Sequence, residues 1–423
     1  MTTETPGFGP GRPALARETL LKSSRVFCML PWTHMSVYPD GQTYPCCSAS
    51  GWPLGSAGEI SLQGLWNSEP LRRLRLDMLA GRESAACARC YKAELCGMGT
   101  LRTWANAELA QHFGLVGQTR PDGSVERLNL PYLDVRFSNV CNLRCRTCRP
   151  ELSSAWQKDG HLLGGTADSA RTTISTQART ALMEQVRALL PQAEIIYFAG
   201  GEPLVMEEHL EILEALIARK QFRVRLQYNT NFSVSHFQDV DIMKWWDRFD
   251  TVVVQASLDG MGRRGEYLRK GLLWDNVVSN RERMRKVCPR ATFIVLATVS
   301  AMNAWHLPDF HAHWLREGYV GRGQFQLNPL FTPEEYCVQV LPSRLKQAVI
   351  RKYEEHIETV AQASGDAAGF AGAVRFMRAQ DRSGLLPRFR ELTLKLDAAR
   401  GERFAEVFPE CAELVADCSR RSE

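Results

Sequence analysis

Ser138-Asn139-Val140-Cys141-Asn142-Leu143-Arg144-Cys145-Arg146-Thr147-Cys148 is the stretch from which the rest of the chain is best read. Its three cysteines, at C-x3-C-x2-C spacing, follow an apolar, strand-like run over 130–137. Thiolates are soft ligands for iron–sulfur clusters. A cubane cluster has about four iron corners, so a loop that supplies three thiolates leaves one iron open. The same logic separates closed structural metal sites from catalytic ones that keep a position free. A zinc-binding or unrelated cysteine cluster has the same spacing, so the surrounding sequence has to decide.

Further on, Glu194-Ile195-Ile196-Tyr197-Phe198-Ala199-Gly200-Gly201-Glu202-Pro203-Leu204 is a second strand-like run, ending in Gly-Gly-Glu-Pro. Two glycines at a strand end let the backbone approach a ligand closely, and a carboxylate can accept from an ammonium group. An ordinary strand-to-helix turn is the plainer reading. The two motifs in this order resemble the radical S-adenosylmethionine (radical SAM) superfamily. The resemblance implies that Cys141, Cys145 and Cys148 hold a [4Fe–4S] cluster whose open iron chelates the amino and carboxylate groups of SAM. It implies that Gly200, Gly201 and Glu202 line the site of the methionine amino group. It also implies reductive cleavage of SAM to a 5′-deoxyadenosyl radical, which abstracts a substrate hydrogen atom. Thr147 departs from the family, where that position is often aromatic; the departure concerns the packing beside the adenine.

The bulk numbers set the limits. The 423 residues can bury a sizeable core and point to two or three domains. A composition of 44% hydrophobic and 23% charged residues excludes disorder throughout. The net charge of +5 is small for this length and no Lys/Arg tract stands out, so no nucleic-acid partner is expected. No apolar run is long enough to span a bilayer, and the Gly/Pro-rich start has no apolar signal core. Thirteen cysteines in such a chain argue for metal ligation in a reducing compartment, and hence for a cytoplasmic protein.

Residues 26–106 read as a cysteine-rich unit after a flexible start over 1–25. Cys28 is followed by Pro39-Asp40-Gly41 and Cys46-Cys47, then by a helical stretch over 65–79, then by Cys87-Ala88-Arg89-Cys90 and Cys96. The Asp-Gly pair suits a hairpin turn that brings Cys28 and Cys46 together on adjacent strands. The spacing resembles the SPASM/twitch auxiliary domains of radical SAM enzymes, which hold extra [4Fe–4S] clusters. A full SPASM domain would carry another cysteine near Thr100, so the shorter twitch version fits better, with one auxiliary cluster on Cys28, Cys46, Cys87 and Cys90. Cys47 and Cys96 are left over, and a free cysteine is commonly a small buried hydrophobe. A zinc ribbon is the rival reading of the four-cysteine set. In most relatives the auxiliary domain follows the core; here it precedes it.

After a connector over 107–129, the pattern becomes strand, loop, helix, repeated. Strands are predicted over 132–137, 194–198, 223–228, 251–257, 292–299 and 324–327, and helices over 180–190, 207–219, 272–287 and 307–317. Alternating apolar β runs and helices imply an α/β fold with a parallel sheet. Six such units over 130–332 fit the partial (β/α)6 TIM-like barrel of the resembled family, with ligand loops at the C-terminal ends of the strands. There Ser257, in Ser257-Leu258-Asp259-Gly260, is placed like a family serine near the SAM ribose or carboxylate. Arg269 is placed like an arginine that pairs with the SAM carboxylate, for which a guanidinium fork is suited. Asn303, after the fifth strand, is placed to contact ribose, and Asn229-Thr230-Asn231 ends the third strand. Each of these is also an ordinary capping or turn residue type. The tail over 333–423 is helical in pattern, with a break at Ser364-Gly365-Asp366 and a stretch over 394–415 interrupted by Pro409. Cys288, Cys337, Cys411 and Cys418 show no ligand spacing.

The sequence therefore reads as a radical SAM enzyme with an N-terminal auxiliary cluster. The resemblance implies a flavodoxin- or ferredoxin-type reductant and a peptide or small natural-product substrate that is oxidised, cross-linked or epimerised. The residues before Phe27 are too few for the leader-binding winged helix of many peptide-modifying relatives, which weighs against a peptide. The alternative is a zinc- or cluster-bearing scaffold without catalysis.

Overall fold

Asp40-Gly41 forms the predicted turn. Gly41 has a φ of 83°, a conformation open to glycine at little steric cost, and it joins β1 (His34–Val37) to an antiparallel β2 (Gln42–Tyr44). β3 (Gly55–Ser56) extends the meander. On its other edge β1 pairs in parallel with β4 (Tyr132–Val135), which pairs in parallel with β5 (Ile195–Phe198). The cysteine-rich segment thus shares a sheet with the first strands of the predicted α/β region. The computed structural model describes residues 17–163 and 173–416; Cys418 and most of the stretch expected to be a flexible start lie outside them.

The chain folds as two compact units. One holds the chain up to Ser138 with Thr173–Gly200 and Leu210–Leu226; the other holds the segment from Asn139, Gly201–His209 and the chain from Gln227 onward. In the first, the sheet order is β5-β4-β1-β2-β3. Helix α1 (Glu69–Leu79) buries Leu71, Leu74 and Met78, the 3–4 residue spacing of an amphipathic helix. Phe27, Trp32, Leu65 and Trp66 are fully buried in this unit.

The second unit holds β6 (Arg225–Thr230) from Gln227 onward, and β6, β7 (Val252–Ala256), β8 (Thr292–Val299) and β9 (Phe325–Pro329) lie side by side in that order. The β7–β8 and β8–β9 pairs are parallel. β8 buries Phe293, Val295, Ala297 and Val299 and leaves the alternate residues half-exposed, the period-2 pattern of a strand with one face in the core. Helices α2 (Trp274–Val287) and α3 (Leu307–Arg316) follow β7 and β8. All six predicted strands form, within a few residues of their predicted ends.

The tail contains α4 (Ser343–His356), α5 (Ala367–Ala379) and α6 (Leu386–Arg400). Gly365 breaks the chain as expected, with a φ of 81°. The helix predicted over 394–415 is corrected. It starts earlier and ends at Gly401, whose left-handed conformation (φ 64°) lets its N–H bond back to the Asp397 carbonyl, a glycine C-cap. No helix among the described residues is long and apolar enough to cross a membrane.

Candidate metal centres

The three-cysteine loop is built by short hydrogen bonds within the second unit. The Ser153 hydroxyl donates to the Leu143 carbonyl at 2.7 Å, and the buried Trp156 indole donates to the Cys145 carbonyl at 2.9 Å. Arg144–Cys145 forms a two-residue ribbon with Arg269–Lys270, placing Arg269 opposite Cys145. Burial raises the Cys141, Cys145 and Cys148 thiols. Cys145 adds to the rise at Cys141, and both add to that at Cys148. The three sulfurs are therefore electrostatic neighbours. Cys141 is pushed up to about 12.

The Gly-Gly-Glu turn reaches this loop directly. The Glu202 N–H donates to the Val140 carbonyl at 2.7 Å. A side chain at Gly201 would begin 2.1 Å from the Val140 oxygen and 2.6 Å from the Asn139 carbonyl. Close backbone approach is thus what Gly201 provides, and its neighbour is the cysteine loop itself. Gly200 has a φ of 118°, a conformation suited to glycine. Glu202 is fully buried. Its carboxylate accepts from the Thr230 hydroxyl at 2.6 Å, the Asn231 N–H at 2.7 Å and the Leu204 N–H at 3.1 Å. Burial lifts it to about 7, against the pull of those donors. Its oxygens face donors of its own loop and of the β6 end.

Two further residues marked in the sequence also bond within the protein. Asn303 is fully buried. Its Oδ1 accepts from the Ser300 N–H and hydroxyl, and its Nδ2 donates to the Asp259 and Thr298 carbonyls. A carboxamide has about four hydrogen-bonding positions, and here all are engaged within the protein. Arg269 donates from Nη2 to Asp259 at 2.8 Å and from Nη1 to the Cys145 sulfur at 3.5 Å. Its ion pair is thus within the protein, and its cation stands beside a cysteine. Burial works against the charge on Arg269, while Asp259 and the three cysteines favour it. Ser257 stays half-exposed, with its hydroxyl 3.3 Å from Asn229 Oδ1.

Asp259 was not singled out as a site residue, yet it joins Arg269 to the β8 end, where its Oδ1 accepts from the Thr298 N–H at 2.8 Å. Asn142, between the first two cysteines, bonds to Asn231 and Ser233 at 2.9 Å each. Asp259, Thr230 and Asn231 all lie in strand-end motifs that the sequence had marked. Arg146 carried no comparable signal.

In the first unit, Cys28 and Cys46 lie before and after the hairpin strands, not on them as expected, because β1 begins at His34 and β2 ends at Tyr44; Cys87 and Cys90 lie at the start of the helix Ala88–Leu95. Burial raises Cys28, Cys46 and Cys87, with Cys87 reaching about 11. After burial, Cys28 feels Cys87 and Cys90, and Cys46 feels Cys47, Cys28, Cys90 and Cys87. Cys47 instead faces Arg136, Asp134 and Arg89. Arg102 donates to the Phe27 carbonyl at 2.9 Å, pairs with Glu94, and acts on Cys28 and Cys90. Thr100, at the position of the missing cysteine, donates its hydroxyl to Glu94 at 2.5 Å. The described cysteines are free thiols. No group of three or more His, Cys, Asp or Glu is already posed around a metal position among the described residues. Buried, mutually opposed thiols nonetheless fit a cationic group, because coordination removes their protons.

Residues 28–91 match the SPASM family, an iron-sulfur cluster-binding domain. That span contains Cys28, Cys46, Cys87 and Cys90, and it leaves Cys96 outside. No curated protein matches the chain. Among solved structures, native anSMEcpe with bound AdoMet is similar at 20% identity and a TM-score of 0.38, over 53% of this chain and 60% of that one. The same protein with bound AdoMet and Cp18Cys peptide is similar at 18% identity and a TM-score of 0.38, over 54% and 59%. The chain thus matches about 60% of the length of these structures.

Proposed function

We propose that the chain is a radical SAM enzyme with one auxiliary [4Fe–4S] cluster in its N-terminal region and a partial (β/α)6 barrel as its core. The observation that carries this reading is the Glu202 N–H bond to the Val140 carbonyl at 2.7 Å. It joins two motifs some sixty residues apart in sequence into one site. When bound at Cys141, Cys145 and Cys148, a reduced [4Fe–4S] cluster supplies the electron that splits SAM into methionine and a 5′-deoxyadenosyl radical, which takes a hydrogen atom from the substrate.

The chain's own residues prepare that site. Gly201 lets the turn lie against the cysteine loop, and Glu202, held by Thr230 and Asn231, fixes the turn's shape. Arg269 places a cation at the Cys145 sulfur, which favours the thiolate needed for ligation. Ser257 offers a half-exposed hydroxyl to SAM. Gln255, Thr298, Gln326 and Asn328 lie on the partly exposed face of β7, β8 and β9. These uncharged groups support a neutral, hydrogen-bonding substrate, a peptide or a small natural product. The second cysteine set supports an electron acceptor on Cys28, Cys46, Cys87 and Cys90. We place the protein in the cytoplasm, served by a flavodoxin- or ferredoxin-type reductant; its free thiols support a reducing compartment.

Iron, sulfide and zinc analysis of anaerobically purified protein, with a 5′-deoxyadenosine assay under dithionite, tests the reading. The expected result is SAM cleavage that disappears in the Cys141/Cys145/Cys148→Ala variant. Zinc without iron, or cleavage that survives in that variant, contradicts it.

A further inference from the structure

The C-terminal segment is tied to the three-cysteine loop and its ribbon by a set of ion pairs. Arg144 and Arg146 flank Cys145, and in an extended chain residues two apart project to one side. Arg144 donates to Asp159 at 2.7 Å, and Asp159 is also held by Arg400 at the end of α6, at 2.9 Å. Arg146 is fully buried, with its guanidinium 3.7 Å from the centre of the Tyr267 ring. It donates to Asp397 at 2.5 Å and to Glu402 at 2.8 Å. The Tyr267 hydroxyl donates to Asp397 at 2.7 Å, and Asp397 also accepts from the Phe404 N–H at 2.6 Å. Glu402 reaches Lys270 at 3.0 Å, the residue next to Arg269 in the ribbon.

Buried ion pairs are a poor way to gain stability, because desolvation offsets much of the attraction; their best-attested use is to fix register. Here four cations and three carboxylates converge on a ribbon of two residues per strand. That ribbon sets Cys145 opposite Arg269. An apolar tail could cover the same surface without selecting the register.

We infer that the C-terminal segment is a positioning element for Cys145: Asp397 and Glu402, acting through Arg146 and Lys270, fix the register of the ribbon and so the placement of the Cys145 sulfur against Arg269. In its spectroscopic part the inference rests on the cluster reading above; in its structural part it does not. Its test uses the full-length chain. In the cluster-free form, hydrogen exchange at the Arg146 amide, which bonds to the Leu268 carbonyl, is expected to be about tenfold faster in Glu402→Gln, the scale of one lost charge-assisted bond. The exposed pair Arg403–Glu406 lies off the ribbon, so Arg403→Gln should leave that exchange unchanged. In the reconstituted form, Glu402→Gln and Asp397→Asn should shift the midpoint potential of the SAM-responsive signal and not that of the auxiliary one. The Glu402 side chain is more exposed than that of Asp397 (14% against 8%), so its variant keeps the test open if Asp397→Asn does not fold. Parental exchange and potentials in Glu402→Gln overturn the inference. A parent chain that forms no SAM-responsive cluster overturns the cluster reading instead, and the exchange result then decides the positioning role alone.

Discussion

Cys141, Cys145 and Cys148 lie within eight residues of one loop, whereas Cys28, Cys46, Cys87 and Cys90 are spread over sixty-three. The first set is shaped by local bonds and by the ribbon with Arg269–Lys270. The second draws on residues before and after a hairpin, and on the segment carrying Cys87 and Cys90 beyond an intervening helix. Their electrostatic settings differ as well. Arg269 donates directly to a sulfur of the loop, while Arg102 stands beside the four-cysteine set, tied to the Phe27 carbonyl and Glu94. A three-thiolate loop leaves a metal position for a ligand, and a four-thiolate set closes it. Under the proposed function, ligand binding falls to the first set and electron storage to the second.

The harshest way to break the comparison is Gly201→Val. The added carbon would begin 2.1 Å from the Val140 oxygen, a backbone atom that cannot swing away. A loss of about 3 kcal/mol in urea unfolding of the cluster-free chain is expected, the upper end of overpacking costs. Unchanged stability would show that the turn does not press on the cysteine loop. Next, Cys90→Ala should remove about four irons, one cubane, while Cys47→Ser removes none. Equal losses in both would place Cys47 among the ligands. Thr230→Val takes one donor from the buried Glu202 carboxylate and is expected to cost about 1–3 kcal/mol, without touching auxiliary iron. The gentlest change is Arg102→Gln. Removing a cation near Cys28 and Cys90 should make the auxiliary potential more negative and leave the SAM-responsive one in place. A shift of both in redox titration would contradict separate settings.

How much of this was legible depended on distance along the chain. The six strands and the Asp40-Gly41 hairpin carried local signals, period-2 burial and a turn that glycine accommodates, and they formed where predicted. The residue types of the site were visible too, but their partners were not. Asn303, Arg269 and Glu202 stood at strand ends where ligands gather, yet each bonds inward to a group far along the chain, Asp259, Cys145 and Asn231 respectively. An inward bond and an outward one look identical in sequence. Arg146 lies 251 residues from Asp397, and no local pattern announces such a pair. The break at Gly401 was missed because Pro409, the stronger signal, drew the boundary later in the chain.

The central claim is that the loop set binds SAM and the four-cysteine set does not. Electron paramagnetic resonance of the dithionite-reduced, fully reconstituted chain, recorded with and without SAM, tests it most directly. Two cubane signals are expected, of which one changes on adding SAM and is absent from the Cys141/Cys145/Cys148→Ala variant, while the other is the same in all samples. A SAM-responsive signal that persists in that variant, or no response to SAM in the parent chain, would contradict the account.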